Sequence, residues 1–140
     1  MKTLAIIKPD AVAGGKIGKI LAHLEGAGFT IRAARFMRLS QAQARAFYVV
    51  HKEQPFYDSL VKFMTSGACM PVLLEHEDAV RALREAIGAT DPAEATKGSV
   101  RGLYAESKER NAIHASDSAE TAERETAFFF SEDELNALQG

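Results

Sequence analysis

His114 stands in Asn111-Ala112-Ile113-His114-Ala115-Ser116-Asp117, where a short apolar stretch runs into residues that start helices. A strand leading into a helix N-terminus favours anions, because free backbone N–H groups and the helix dipole both attract negative charge. An imidazole at such a junction acts as a nucleophile when one ring nitrogen is free and the other is held by a hydrogen bond. Glu125 could be that holder, about two turns into the helix expected to follow. The plainer alternative is a histidine satisfied structurally at a strand end. Glu125 lies beside an inward stripe containing Ala122 and Phe129, so its carboxylate needs a partner. That partner is either a surface Arg or Lys, or the catalytic group it orients. Arg84, next to Val80 and Ile87 on another helix, either snorkels to water or reaches an anion.

The other histidines rank lower. His23 flanks a helix, His51 follows a helix end, and His76 sits in the charged turn Glu75-His76-Glu77-Asp78, all places where a solvated ring is expected. Gly14-Gly15-Lys16-Ile17-Gly18-Lys19-Ile20 looks like a phosphate-binding P-loop but is not one. Gly14 to Gly18 encloses three residues where that loop needs four, and Ile20 stands where a magnesium-binding Ser or Thr belongs.

Positioning such groups needs a frame. Leu4 to Ile7 is an unbroken apolar run, as expected of a central strand covered on both faces. Ile17, Ile20, Leu21 and Leu24 follow helical spacing, and Gly26 and Gly28 supply the stop. A second strand runs from Phe29 to Leu39, its imperfect alternation predicting a bulge near Ala33. Ser40 is a cap for a helix reaching about Val50. Pro55 opens another, with Phe56, Leu60, Phe63 and Met64 on one face.

Met70 to Leu74 is the third strand. Asp78 is expected to cap a helix with inward residues Val80, Leu83 and Ile87, closed by Gly88. From about Ala89 to Arg110 no period is sustained, which in a compact domain marks a functional loop. Ala112 to Ala115 forms a fourth strand. Asp117 and Glu120 have capping-box spacing for a last helix to about Phe128, and Ser131 to Glu134 adds a helical turn. The order β-α-β-(αα)-β-α-β-α contains the split β-α-β pattern. It predicts an α+β fold of the ferredoxin-like sandwich type, with a four-stranded antiparallel sheet covered by helices.

At 140 residues, with 46% apolar and 26% charged composition, the chain reads as one soluble domain over 1–140. The net charge of −2 gives no general attraction for nucleic acid or anionic membranes, so phosphate binding must come from local Lys and Arg. No specific nucleic-acid partner is expected. The lone Cys69 has no second thiol for a disulfide or zinc site, which points to a reducing compartment, the cytoplasm. The run Leu4 to Ile7, stopped by Lys8-Pro9-Asp10, is far short of a signal-peptide core or a membrane span.

With Asn111 to Ser118 in view, the sequence resembles the nucleoside diphosphate kinases, whose signature is N-x-x-H-[GA]-S-D. The likeness runs from Thr3 to about Phe130. It takes in Ile7 to Val12, Phe47-Tyr48, Pro55-Phe56, Phe63 to Gly67, Gly88 to Pro92 and Gly98 to Gly102. The resemblance implies ping-pong transfer from a nucleoside triphosphate such as ATP to a nucleoside diphosphate. His114 would be the nucleophile, with Glu125 and Ser116 holding the imidazole. Lys8, Tyr48, Arg84, Thr90, Arg101 and Asn111 match the family's phosphate and sugar contacts. Phe56 would stack on the base, which any base satisfies. Phosphoryl transfer spreads charge over peripheral oxygens, so positioning and cationic donors do most of the work. The family also implies Mg2+ carried with the nucleotide phosphates, with no cluster of protein ligands, and a homo-oligomer of four or six chains.

Four positions depart from the family's pattern. Lys108 replaces an aliphatic residue over the other face of the base, Val50 an acidic residue, Gln54 an arginine and Ala68 a proline. None removes a catalytic group. Two other classes compete. A non-catalytic ligand-binding module on the same fold predicts binding without turnover. An RNA-binding sandwich would need a basic-aromatic strand motif and positive charge that this chain lacks.

Overall fold

The computed structural model describes residues 1–138. β1 (Lys2–Ile7) lies inside the sheet, paired antiparallel with β3 (Met70–Glu75) on one side and β4 (Ile113–Ala115) on the other. β2 (Thr30–Ala34) pairs antiparallel with the outer edge of β3, so the order is β2-β3-β1-β4. This is the expected ferredoxin-like sheet. The continuous apolar run of β1 is explained by cover on both faces, and Leu4 to Ile7 are fully buried.

Alternation along the strands splits the core in two. Leu4, Ile6, Ala33 and Leu73 face helices α3 (Gln41–Phe47), α4 (Tyr57–Met64) and α7 (Ala119–Phe129). Ala5, Ile7, Val72 and Leu74 face α1 (Pro9–Ala13), α2 (Ile17–Gly26), α5 (Ala79–Ile87) and α6 (Val100–Tyr104). α8 (Glu132–Leu138) closes over β2.

Several elements differ from expectation for identifiable reasons. The register between β2 and β3 shifts between Ile31 and Ala33, the bulge expected there, but the strand ends at Ala34. Beyond it Met37 makes an isolated bridge to Cys69. Ser40 caps α3 in a capping box completed by Gln43, yet the α-helix stops at Phe47 and a 3-10 turn, Val49–His51, takes its place. α4 begins at Tyr57, so Phe56 is its exposed cap position and does not share the inward face of Val61, Phe63 and Met64.

Asp78 does not cap α5 with its side chain, which instead accepts from Arg81 Nε at 2.5 Å. The buried stripe of α5 is Ala79, Leu83 and Ile87, with Val80 only half-buried. α7 is capped by Ser118 with Thr121, one residue later than the expected box. The long loop contains α6, whose cap is Ser99.

Phe47 joins the core to the future site. Its ring lies 5.4 Å from that of His114, 4.9 Å from Tyr48 and 5.2 Å from Phe129, and it is almost wholly buried. Phe47→Ala should therefore cost about 3–5 kcal/mol through lost burial and the cavity left behind. Chemical denaturation measures this directly, and a loss under about 1 kcal/mol would show that the ring is not packed as described.

Candidate functional site

β4 pairs His114 with Ile6 of β1, which turns the imidazole to the same face as Phe47 and α7. There the ring packs edge-on against Phe47 and against Tyr48, whose centroid is 5.9 Å away at 88°. α7 places Glu125 among its buried residues, and His114 Nε2 lies 2.7 Å from Glu125 Oε1. Ser116 Oγ donates to the same oxygen at 2.7 Å. Ser116 thus holds the carboxylate and reaches the imidazole only through it.

Burial alone would raise the pKa of Glu125. The hydrogen bond and charge of His114, the Ser116 hydroxyl and nearby Arg124 together pull it below the usual carboxylate value. The carboxylate is an acceptor, so Nε2 must be the N–H donor. Nδ1, which makes no hydrogen bond among the described residues, is left for the cleft.

That cleft encloses about 550 Å³ and is lined by Lys8, Tyr48, Phe56, Arg84, Thr90, Arg101, Asn111 and His114, with Lys108, His51 and Leu60 toward its mouth. Every residue expected at the site borders it except Ser116 and Glu125, which stand behind His114. Lys8 is buried at the end of β1, its Nζ 2.7 Å from Asn111 Oδ1. Burial, then repulsion from Arg101, lower its pKa to about 8, against the opposing pull of Asp10 and Glu109.

Arg101 is also buried. Its pKa falls to about 10, from burial and then from the charge of Arg84. Three cations therefore crowd one end of the cleft, where Arg101 lowers the pKa of Lys8 and Arg84 that of Arg101. An anion would relieve that repulsion.

Arg101 differs from expectation. Its Nη1 donates to Gly88 O at 3.0 Å and its Nη2 to Ile113 O at 2.7 Å, so two branches of its fork brace the backbone beside His114. Its Nε is buried without a partner among the described residues. Arg84 is exposed at the cleft wall. Burial, followed by the Glu125 charge, pushes the Tyr48 phenol above its ordinary value, so it stays a neutral donor; its hydroxyl has no partner among the described residues. Asn111 Nδ2 donates to Thr90 O at 3.2 Å, tying the long loop to the strand that carries His114.

The remaining histidines are held elsewhere. His23 Nε2 contacts Gly98 O at 2.8 Å and His76 Nδ1 accepts from Asp78 N at 3.0 Å, so neither is simply solvated. His51 lies 5.4 Å from Phe56 at the cleft mouth. Sequence reasoning overlooked Asp10 and Phe47 as neighbours of the site. Pro9 followed by Asp10 is a helix-start signal that could have revealed α1.

The family model described as nucleoside diphosphate kinase matches residues 1–135. The chain belongs to the nucleoside diphosphate kinase family. A nucleoside diphosphate kinase of Halorhodospira halophila is 57% identical over 134 residues, 96% of this chain and 95% of that one. A nucleoside diphosphate kinase of Chlorobium chlorochromatii is 54% identical, with 96% of each chain covered. The solved nucleoside diphosphate kinase of Aquifex aeolicus superposes with a TM-score of 0.93 at 46% identity, covering 95% of this chain and 96% of that one. A halophilic nucleoside diphosphate kinase from Halobacterium salinarum, solved in complex with CDP, gives 0.92 at 40% identity, with 96% and 90% covered. Family membership makes the enzyme a nucleotide phosphotransferase.

The ring geometry is directly measurable. In the neutral His114 ring, 15N chemical shifts are expected to place the proton on Nε2. A proton found on Nδ1 would break the arrangement, because the only nitrogen facing the cleft would no longer be free.

Proposed function

We propose that the chain, as one catalytic domain over 1–140, carries a phosphoryl group on His114 between a nucleoside triphosphate and a nucleoside diphosphate. The Nε2–H bond to buried Glu125, which leaves Nδ1 at the cleft, is the observation that carries this reading. In the first half-reaction the Nδ1 lone pair forms a bond to the γ-phosphorus as the bond to the β,γ-bridging oxygen breaks, and the nucleoside diphosphate leaves. In the second, an oxygen of the acceptor's β-phosphate takes the phosphorus and the P–N bond breaks. Glu125 stabilises the positive charge that the ring acquires while the phosphoryl group is attached.

Lys8, Arg84 and Arg101 would meet the phosphate oxygens, with Arg84 free to swing and Arg101 using the face of its fork not engaged by Gly88 and Ile113. Tyr48 would donate its unpaired hydroxyl to an oxygen near the transferring group. Thr90 and Asn111 would contact phosphate and sugar. Phe56, exposed at the mouth, would stack on the base, and the stem of Lys108 would cover its other face.

Among the described residues no three His, Cys, Asp or Glu side chains gather as a metal site, and the cleft's phosphate end is cationic. Mg2+ would therefore arrive on the nucleotide and be held mainly by phosphate oxygens. When bound there it neutralises charge between the phosphates.

ATP and other nucleoside di- and triphosphates are the proposed substrates. The assembly is a homo-oligomer, tetramer or hexamer, consistent with the exposed Phe36, Val50 and Leu103. No helix is long and apolar enough to cross a membrane. A cytoplasmic location fits the unpaired buried Cys69.

Incubation with ATP should label the protein with acid-labile, alkali-stable phosphate, and a nucleoside diphosphate should discharge it. Label persisting in His114→Ala would overturn the assignment. Lys8 gives a second test. Its ammonium form, which would meet the phosphates, is lost as pH rises through its lowered pKa of about 8 rather than the ordinary lysine value. kcat/KM, which reports the free enzyme, should decline above that pH. A profile level well beyond it would remove Lys8 from the phosphate site.

A further inference from the structure

The backbone just before His114 is held in an unusual shape. Ala112 has φ of 75°, the only positive φ of a non-glycine residue among the described residues. Ile113 N donates to Asn111 O at 2.9 Å, closing a three-residue γ-turn centred on Ala112. Turns of this hand are rare and strained, and a side chain at the centre adds to the strain. Such a conformation persists only where its surroundings impose it.

Asp10 supplies the restraint specific to this turn. Its Oδ2 accepts from Ala112 N at 3.0 Å in a buried contact. On the other side of the same residue, Lys8 N donates to Ala112 O at 2.9 Å. The amide and carbonyl of Ala112 are thus gripped by neighbouring residues of one segment, Lys8 and Asp10. Arg101 Nη2 then fixes the next carbonyl, that of Ile113. The second Asp10 oxygen, Oδ1, is buried with no hydrogen-bond partner among the described residues. A carboxylate kept there at the expense of an unpaired oxygen is placed for its grip on Ala112, since it satisfies only half its own hydrogen-bonding capacity.

We propose that Asp10 is a positioning residue: it locks the γ-turn at Ala112 and thereby fixes the angle at which the His114 ring enters the cleft, without touching the nucleotide. The inference rests on His114 being the phosphoryl acceptor. The turn sets where β4 begins, and the ring's Nε2 must reach Glu125 while Nδ1 lines up with the phosphorus. An error of about an ångström there can cost roughly a hundredfold in rate.

The test separates positioning from mere stability. Asp10→Ala, Asp10→Asn, Ala112→Gly and the double variant Asp10→Ala with Ala112→Gly are compared with wild type. Each is followed by thermal midpoint, by nucleotide KM and by single-turnover phosphohistidine formation from ATP.

Asp10→Ala should slow phosphohistidine formation by roughly ten- to a hundredfold, with KM changed by less than about threefold. Asp10→Asn, which keeps a carbonyl oxygen for Ala112 N, should recover most of the rate. Ala112→Gly in the Asp10→Ala background should also recover part of it, because glycine adopts positive φ without the clamp. Should Asp10→Ala fail to fold, the double variant and Asp10→Asn decide.

A rate within about threefold of wild type in a folded Asp10→Ala overturns the proposal, as does, should that variant not fold, a loss of about a hundredfold or more in both Asp10→Asn and the double variant. So does a loss that Ala112→Gly leaves untouched. Wild type that takes no label on His114 defeats the parent reading instead, whereas normal labelling in wild type with unimpaired Asp10→Ala defeats only this one.

Discussion

One buried carboxylate oxygen organises the site. Glu125 Oε1 accepts from both His114 Nε2 and Ser116 Oγ, and a charge so enclosed is tolerable because these donors, with Arg124 near the other oxygen, offset its burial. That requirement determines which imidazole nitrogen carries the proton, and so which one is free. It also demands that α7 and β4 hold a fixed distance. Phe129 and Ala122 seat α7 on the sheet, Ile6 pairs with His114, and Phe47 fills the space between. The apolar core therefore acts on chemistry by fixing the length of one hydrogen bond.

The cationic end of the cleft works the opposite way. Lys8, Arg84 and Arg101 gain nothing from one another: after burial, repulsion from Arg101 lowers the pKa of Lys8 and repulsion from Arg84 that of Arg101. Burial near like charge destabilises the empty protein, and the same arrangement favours a polyanion that neutralises it. Partial compensation comes from inside. Asn111 Oδ1 accepts from Lys8, while Gly88 and Ile113 carbonyls accept from Arg101. These neutral acceptors keep the cations in place without cancelling their charge.

Much of this was legible from residue order, and the misses have physical causes. The central strand announced itself because burial on both faces forbids polar residues in Leu4 to Ile7. His114, Glu125 and Arg84 stood out because polar groups beside apolar stripes need partners. Helix starts were less certain. Ser118 outcompeted Asp117 as cap of α7, since both lie at the junction and only the backbone's turn selects between them. The short α6 was hidden among glycines and charges, although Ser99 marks its start. Phe56 looked like part of an inward face because helical spacing does not reveal where the helix begins. The positive φ of Ala112 left no trace at all, as alanine carries no preference for it. Tertiary contacts from Lys8, Asp10 and Arg101, distant in sequence, impose that shape.

Burial also divides the cleft along its length, and in the proposed reading this division would account for broad base acceptance. At the phosphate end Lys8, Arg101 and Asn111 are buried, so a polar group left unmatched there would be expensive. At the base end Phe56 is 45% exposed and the Lys108 side chain 76% exposed, its Nζ 3.9 Å from Asp91. Discrimination between bases requires buried donors or acceptors that a wrong base would leave unpaired. A water-accessible aromatic face and an aliphatic stem present none. Stacking on them would depend on the area of a flat ring, which purines and pyrimidines both offer, whereas the triphosphate they share would meet the enclosed, charged end. Selectivity would thus fall on the part of the substrate common to all nucleotides, because only that part would be taken out of water.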